Sequence, residues 1–456
     1  MSNPYHVQNP ATGEVLETFP FATDDKISSA LASSYAVFEQ WAEKSFEERA
    51  GVVGEVAAAF EERKEELARI IAQEMGKPLR EGIEEAEFAS AIFQYYADHG
   101  AELGKDFEIP TDSNGTAYIR RVPIGPLFGI MPWNFPYYQV ARFAAPNLMQ
   151  GNTIILKHAE LCPRSALVIK EIMDAAGAGD AYINVFATHD QSSMIISDKR
   201  VRGVSLTGSE RAGAAVAAQA GKELKKVVLE LGGSDPYIVL DSDDIAESVA
   251  TAWGKRFYNT GQACDANKRL IIMDDIYDDF LAELVGTVSA LTPADPLGAT
   301  EDNYAPLCSR EAAERLNDQI QKAVAQGATL HTGGELGDNG WFSPAVLTGI
   351  TPDMDAYLEE LFGPVAVVYR VSSVDEAVSL ANAVDFGLGA TVFSSDVEKA
   401  KAVGKRLEAG MVKINSPEGE GPEMPFGGVK RSGCGRELGP LGMDEFVNKQ
   451  LFYVEN

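Results

Sequence analysis

Cysteine and histidine are scarce in this chain of 456 residues, and none of them are grouped. Four cysteines, Cys162, Cys264, Cys308 and Cys434, stand far apart with no CxxC pair, so neither a disulfide framework nor a zinc ribbon is expected. The five histidines, His6, His99, His158, His189 and His331, are scattered and none forms HExxH, and no metal site is expected. A GxSxG nucleophile elbow and a GxxxxGK[ST] phosphate loop are also missing. No apolar run reaches 18 residues, which argues against a membrane-spanning helix. The start, MSNPYHVQNPATGE, has neither the basic residues nor the apolar stretch of a secretory signal, and a cytoplasmic location is expected.

Positive charge is the other shortage. Lysine and arginine number 39 against 68 aspartates and glutamates, a formal net charge of −29. Such a field repels nucleic acid and anionic membranes, and neither is expected as a partner. The acids are not a tail: Asp241, Asp243 and Asp244, then Asp274, Asp275, Asp278 and Asp279, then Glu359 and Glu360 are spread along the chain beside apolar sequence. An ordinary solvated, mildly acidic bacterial surface would account for this pattern, but it suits a high-salt cytoplasm better, where the Debye length falls to about 3 Å in 1 M salt and self-repulsion is screened.

What is present is an ordinary globular balance, 45% hydrophobic and 23% charged, long enough for roughly three structural units. Over 24–41, Ile27, Leu31, Tyr35, Phe38 and Trp41 recur at helical spacing, and 45–75 continues the pattern. FEIP and TAYIRRV flank a turn at 112–115 and predict a projecting hairpin suited to assembly. From Ile124 onward, PLFGIMP, NTIILK, YINVF and GVSLTG read as strands between helical stretches at 165–176 and 211–225. A second round has YIVLD, RLIIMD, AVVYRV and ATVFSS, with helices at 245–257, 277–291 and 310–326. The expected fold is α/β, two open units with mostly parallel sheets and a cleft between them.

Two stretches at the start of the second unit carry chemistry. LELGG supplies a carboxylate, Glu230, and GQAC supplies a thiol, Cys264. A thiolate can form a covalent acyl intermediate and a nearby carboxylate can activate water to hydrolyse it. Asn134, in MPWNFP, has an amide that would suit an oxyanion, although an Asx-turn explains it as well. Lys157 and Glu160 end a strand, where open α/β sheets bind ligands, and could hold two ribose hydroxyls or simply face water. Gly208 and Ser209 lie between a strand and a helix, a place that suits phosphate, but GxGxxG is absent and a structural turn serves equally.

Taken in order, PWNFP, LKHAE, LTGSE, LELGG, GQAC, EELFGPV and PFGGVKRSGCGRE resemble the aldehyde dehydrogenase superfamily from NPATGE near residue 9 to the C-terminus. WNFPYYQVARFAAP with LKHA is most similar to its short succinate-semialdehyde dehydrogenase group. The resemblance implies Rossmann-like domains: a cofactor-binding domain over 1–105 and 124–230, a catalytic domain over 231–415, and a small β oligomerisation arm and tail over 106–123 and 416–456. It implies a homodimer or homotetramer. It makes Cys264 the nucleophile, Glu230 the general base and Asn134 the oxyanion donor. Pro132, Trp133, Gly208 and Ser209 would meet the cofactor, Lys157 and Glu160 its adenosine ribose, and Glu360 and Phe362 its nicotinamide ribose. A carboxylate at Glu160 would accept from a free 2′-hydroxyl and repel a 2′-phosphate, so NAD is expected over NADP, with NADP possible.

The substrate implied is a small aldehyde, succinate semialdehyde first. Arg142 matches a position that helps hold the substrate carboxylate in that group, and a structural role would explain it as well. The position of a second arginine in some members is Tyr258 here, and Arg256 is out of register. Glu418, Glu420 and Glu423 before PFGG fit poorly with an anionic substrate and leave a neutral or amino aldehyde open. A CoA-acylating reductase and a non-catalytic protein of the same fold compete with this assignment, and Glu230 together with Cys264 and Asn134 disfavours both. Cys162, Cys308 and Cys434 have no such context and read as structural.

Overall fold

Hydrophobic strands that alternate with helices build two separate parallel sheets in the computed structural model, which describes residues 4–417 and 419–455. The first sheet runs in the order Gly433–Cys434, Lys226–Glu230, Gly203–Thr207, Pro126–Ile130, Thr153–Lys157, Tyr182–Asn184. All its pairings are parallel except that of the short edge strand Gly433–Cys434. Thr153–Lys157 and Gly203–Thr207 are buried at every residue, as strands covered by helices on both faces must be. From Pro126–Ile130 the chain first adds strands on one side, then returns to place Gly203–Thr207 on the other. That reversal opens a crevice at the carboxyl ends of these strands.

The second sheet has seven strands, ordered Thr329–Thr332, Ala345–Thr348, Val365–Val371, Arg269–Met273, Pro236–Val239, Gly389–Phe393, Met411–Ile414. Only the first pairing is antiparallel. The strands expected from sequence occupy its middle. Thr329–Thr332, Ala345–Thr348 and Met411–Ile414 are additions to that expectation, because four-residue strands offer too few alternations to show a period.

The hairpin forms as expected: Phe107–Ile109 pairs antiparallel with Gly115–Pro123. Its other neighbour is Val447–Glu455, which pairs with all nine residues of Gly115–Pro123. This three-stranded sheet leaves Phe107, Leu451, Tyr453 and Val454 exposed.

The helices explain themselves locally. Asp24–Glu43 starts where the Thr23 hydroxyl accepts from the Lys26 N–H. The segment expected over 45–75 breaks at Arg63 into Phe46–Glu62 and Lys64–Met75, the first capped by a reciprocal Ser45 and Glu48 box. Helix Tyr138–Gln150 has no counterpart among the helices expected from sequence. It is buried at every position and contains Pro146, so it lacks the apolar stripe that betrays a surface helix. Arg142 lies on it, and that placement decides what Arg142 can do.

Candidate functional site

A cleft of about 380 Å³ opens at the crevice of the first sheet. Pro132, Trp133 and Asn134 line it from the loop after Pro126–Ile130, and Thr207, Gly208 and Ser209 from the turn after Gly203–Thr207. Cys264, Glu360 and Phe362 line it from the second half of the chain. The Trp133 and Phe362 rings meet edge to face at 5.8 Å. Ser209 caps helix Glu210–Lys222, whose N-terminus therefore points its free N–H groups toward the cleft. The buried Thr207 hydroxyl has no partner among the described residues. Lining, helix end and orphaned hydroxyl together fit a dinucleotide.

Asn134 and the segment before Cys264 are clamped together. The Asn134 amide donates to the Gln262 carbonyl at 3.0 Å, and its carbonyl oxygen accepts from Gln139 at 3.2 Å. The Asn259 amide donates to the carbonyls of Asn134, at 2.8 Å, and Gln262, at 3.1 Å. Asn259 and Thr260 adopt φ of 53° and 51°, a left-handed backbone that is costly for a β-branched threonine. Helix Leu79–Leu103 holds this turn from below, where Glu81 accepts from the Asn259 N–H at 2.7 Å. One helical turn on, Glu85 accepts from the N–H groups of Tyr137 and Tyr138 at 2.8 and 3.2 Å, capping helix Tyr138–Gln150. Lys77 pairs with Glu85 and lies 3.6 Å over the Phe135 ring. Glu81 and Glu85 thus brace both loops of the site through one i, i+4 step. Burial pushes Glu81 up to about 7.

Cys264 is half-buried on the cleft wall. Burial first, then Asp265 and Glu230, raise its thiol, while Arg142 and Lys268 act in the opposite direction. Glu230 ends its strand and is buried, with neither carboxylate oxygen partnered among the described residues. Its side chain does not line the cleft with Cys264. It packs against Gly427, where an added methyl would come within 2.6 Å of its Oε1. Burial first, then Glu437, raises Glu230 well above the usual carboxylate range.

Lys157 and Glu160 stand one strand over, where Ile130 and Lys157 are register partners. They bind each other at 2.8 Å rather than facing the cleft separately. Although burial works the other way, Lys157 holds Glu160 below its ordinary value. Between them His158, kept neutral by burial and pushed down to about 4, bridges the Pro136 carbonyl and the Ala159 N–H.

Arg142, for which a substrate-binding and a structural role were both open, is not a free cation. It is fully buried, its Nε lies 2.8 Å from Glu437, and it is sandwiched between the rings of Tyr138 and Phe426 at 4.6 and 4.3 Å. Its Nε and Nη2 make no hydrogen bond among the described residues, and of the two only Nε has the ion-pair contact with Glu437. Tyr258 stacks on Phe135 at 6.1 Å. Arg256 spans the interior by donating to the carbonyls of Gly261, Leu361, Gly363 and Val365. Of the acids before PFGG, Glu420 is neutralised by Lys255 and Lys413, each at 2.8 Å, and Glu423 is exposed. Glu418 lies outside the described residues.

Sequence reasoning missed Gln139, Leu231, Gly232, Arg315, Leu316 and Gln319 on the cleft wall, and Lys268 beneath it. Arg315 and Gln319 share a face of helix Arg310–Gln326 and are polar residues on an amphipathic helix, a signal indistinguishable from solvent exposure. For Lys268 the signal was its place four residues after Cys264.

The model of the aldehyde dehydrogenase family matches residues 1–451. The chain is 49% identical to succinate-semialdehyde dehydrogenase [NADP(+)] of Deinococcus radiodurans, an alignment covering 98% of this chain and 94% of that one. It is 41% identical to succinate-semialdehyde dehydrogenase [NADP(+)] 1 of Mycobacterium ulcerans, covering 99% and 100%. The crystal structure of succinic semialdehyde dehydrogenase from Streptococcus pyogenes in complex with NADP+ superposes with a TM-score of 0.96 at 42% identity, covering 99% and 100% of the two chains.

Proposed function

The chain belongs to the aldehyde dehydrogenase family, and we propose that it oxidises succinate semialdehyde to succinate, with NADP as the cofactor it uses. The observation that carries the substrate is the 49% identity to a full-length relative of that name. The unpartnered Nη2 of Arg142 supports it, as one donor for a substrate carboxylate. Pairing of Glu420 with Lys255 and Lys413 removes the acidity that favoured an amino aldehyde.

We assign Cys264 as nucleophile, Glu230 as general base and Asn134 as oxyanion donor. Cys264 passes its thiol proton to solvent water in the cleft, and its sulfur bonds the aldehyde carbon as the C=O π electrons move to oxygen. The resulting oxyanion is met by the second N–H of Asn134 and a backbone N–H, each donor worth roughly 3 to 4 kcal/mol. A nicotinamide dinucleotide bound in the cleft would supply the acceptor for the hydride of that carbon, and Cys264 would then carry a thioester. Glu230, once deprotonated and swung toward the thioester, takes a proton from water, whose oxygen displaces the sulfur and yields the acid. Pro132, Trp133, Gly208, Ser209, Glu360 and Phe362 hold the cofactor in this reading, with Lys157 and Glu160 at its adenosine end. The relatives' NADP(+) names weigh against the NAD preference argued from Glu160 alone, and the Lys157–Glu160 pair supports that shift by offsetting the carboxylate.

In the same reading, 1–105 with 124–230 bind cofactor, 231–415 carry catalysis, and 106–123 with 416–456 assemble a homodimer or homotetramer in a high-salt cytoplasm. The exposed apolar residues of the three-stranded sheet support the assembly role. The test is a panel of aldehydes, including succinate semialdehyde and an aminoaldehyde, assayed for NADPH and NADH formation at low and molar KCl. Succinate semialdehyde with NADP should be turned over best, and Cys264→Ala should abolish it. Full activity in that variant, or preference for the aminoaldehyde, overturns the assignment.

A further inference from the structure

Lys268 is the one cation whose ammonium group touches the backbone of Cys264 among the described residues. Its side chain is 2% exposed, yet it faces three acceptors. The ammonium donates to the Ala263 carbonyl and the Cys264 carbonyl, both at 2.8 Å, and lies 3.0 Å from Glu360 Oε1. Glu360 Oε1 also accepts from the Gly233 N–H at 3.1 Å, and the Phe362 ring lies 5.7 Å from the ammonium. Three segments distant in sequence, at 233, 263–268 and 360–362, therefore meet at one buried charge.

We propose that Lys268 is a positioning residue for the thiol-addition reaction, a buried cation that ties the turn carrying Cys264 to the carboxylate of Glu360 on the cofactor side. This rests on the reading of Cys264 as nucleophile. Three donors on one ammonium match its three acceptors: the Cys264 carbonyl has no other donor among the described residues, and the Ala263 carbonyl also accepts from the Ala266 N–H at 3.3 Å. A neutral residue of the same length would strand the Cys264 carbonyl and leave the Glu360 charge without its cation.

The charge has a second effect. Cys264 sits among Asp265 and Glu230, which oppose a thiolate, and Arg142 and Lys268, which favour it. Asp265 is itself answered by Lys255, at 2.7 Å, and Arg142 by Glu437. Lys268 is answered by Glu360, with Asp235 the other acid that feels it. The field at the sulfur thus depends on how much of the ammonium charge Glu360 cancels. Removing Lys268 must make the thiolate harder to form, and removing the Glu360 charge must make it easier.

Those opposite signs separate an electrostatic and positioning role from a merely structural one. The experiment is alkylation of Cys264 by iodoacetamide in the cofactor-free protein, followed by mass spectrometry of the Cys264 peptide across pH 6 to 11. Lys268→Met should move the alkylation profile up by about one pH unit or more. Glu360→Gln should move it down, and Lys268→Arg should leave it near wild type. A Lys268→Met profile coincident with wild type, or shifts of the same sign in Lys268→Met and Glu360→Gln, overturns the proposal. Should Lys268→Met fail to fold, Glu360→Gln alone decides, and an unshifted or upward profile overturns it. Because the readout is the thiol and not turnover, these outcomes stay distinct from aldehyde oxidation persisting in Cys264→Ser, which would remove the nucleophile assignment instead.

Discussion

Two lysine–glutamate pairs flank the cleft, and they differ in reach. Lys157 and Glu160 are three residues apart at the end of one strand and bind each other at 2.8 Å. Lys268 and Glu360 are 3.0 Å apart in space but come from different segments, and the lysine also holds two carbonyls of the nucleophile turn. Beyond each other, the side chains of the local pair touch only the His158 carbonyl, at 3.3 Å, and the Tyr5 ring, at 5.4 Å, among the described residues, both through Lys157, and neither belongs to the nucleophile turn. The distant pair is part of the scaffold that aims Cys264. Changes on the nucleophile side should therefore reduce turnover, whereas changes to the local pair should redistribute cofactor preference.

The largest effect belongs to Glu230→Gln, which removes the group assigned to activate water. A loss in kcat of about 10²- to 10⁴-fold is expected, with a burst of NADPH preceding slow turnover in stopped-flow traces. Absence of a burst would place the lost step before the thioester. Next comes Asn134→Ala, expected to lower kcat by about 10²- to 10³-fold with little change in KM, as loss of an oxyanion donor does. An increase in KM alone would show that Asn134 only clamps the Gln262 carbonyl.

The pH dependence follows in size. Burial and Glu437 hold Glu230 above the usual carboxylate range, and a base acts only when deprotonated. The kcat should rise with pH toward that raised value, about tenfold per unit below it, and this limb should flatten in Glu230→Gln. A kcat already flat from pH 5 would contradict the buried, protonated carboxyl. The smallest effect is expected at the local pair. Glu160→Gln should raise the NADP-to-NAD ratio of kcat/KM by about tenfold, since a like charge near a 2′-phosphate is removed. An unchanged ratio would mean that Lys157 already cancels Glu160 fully.

The same contrast explains how much was legible beforehand. Cys264, Asn134, Gly208 and Ser209 stood out because each sits in a short stretch whose chemistry is visible within a few residues, and each does line the cleft. Strands such as Thr153–Lys157 were legible because burial on both faces leaves an unbroken apolar run. Helix Tyr138–Gln150 was not, since a helix buried all round shows no period. The burial of Arg142 was hidden for a related reason: its partner, Glu437, is 295 positions away along the chain, and no local pattern announces it.

The order of motifs, the acidic surface and the identity of the thiol, carboxylate and amide are properties of the sequence itself, because residue type fixes which nucleophile, base and donor are available. Which of them face one another was decided by the tertiary structure. Glu81 beneath Asn259, Lys268 between Cys264 and Glu360, and Glu230 turned against Gly427 all follow from contacts between segments far apart in the chain. Electrostatic interactions depend on distance and burial rather than sequence separation, so they appear only once the two sheets have brought those segments together.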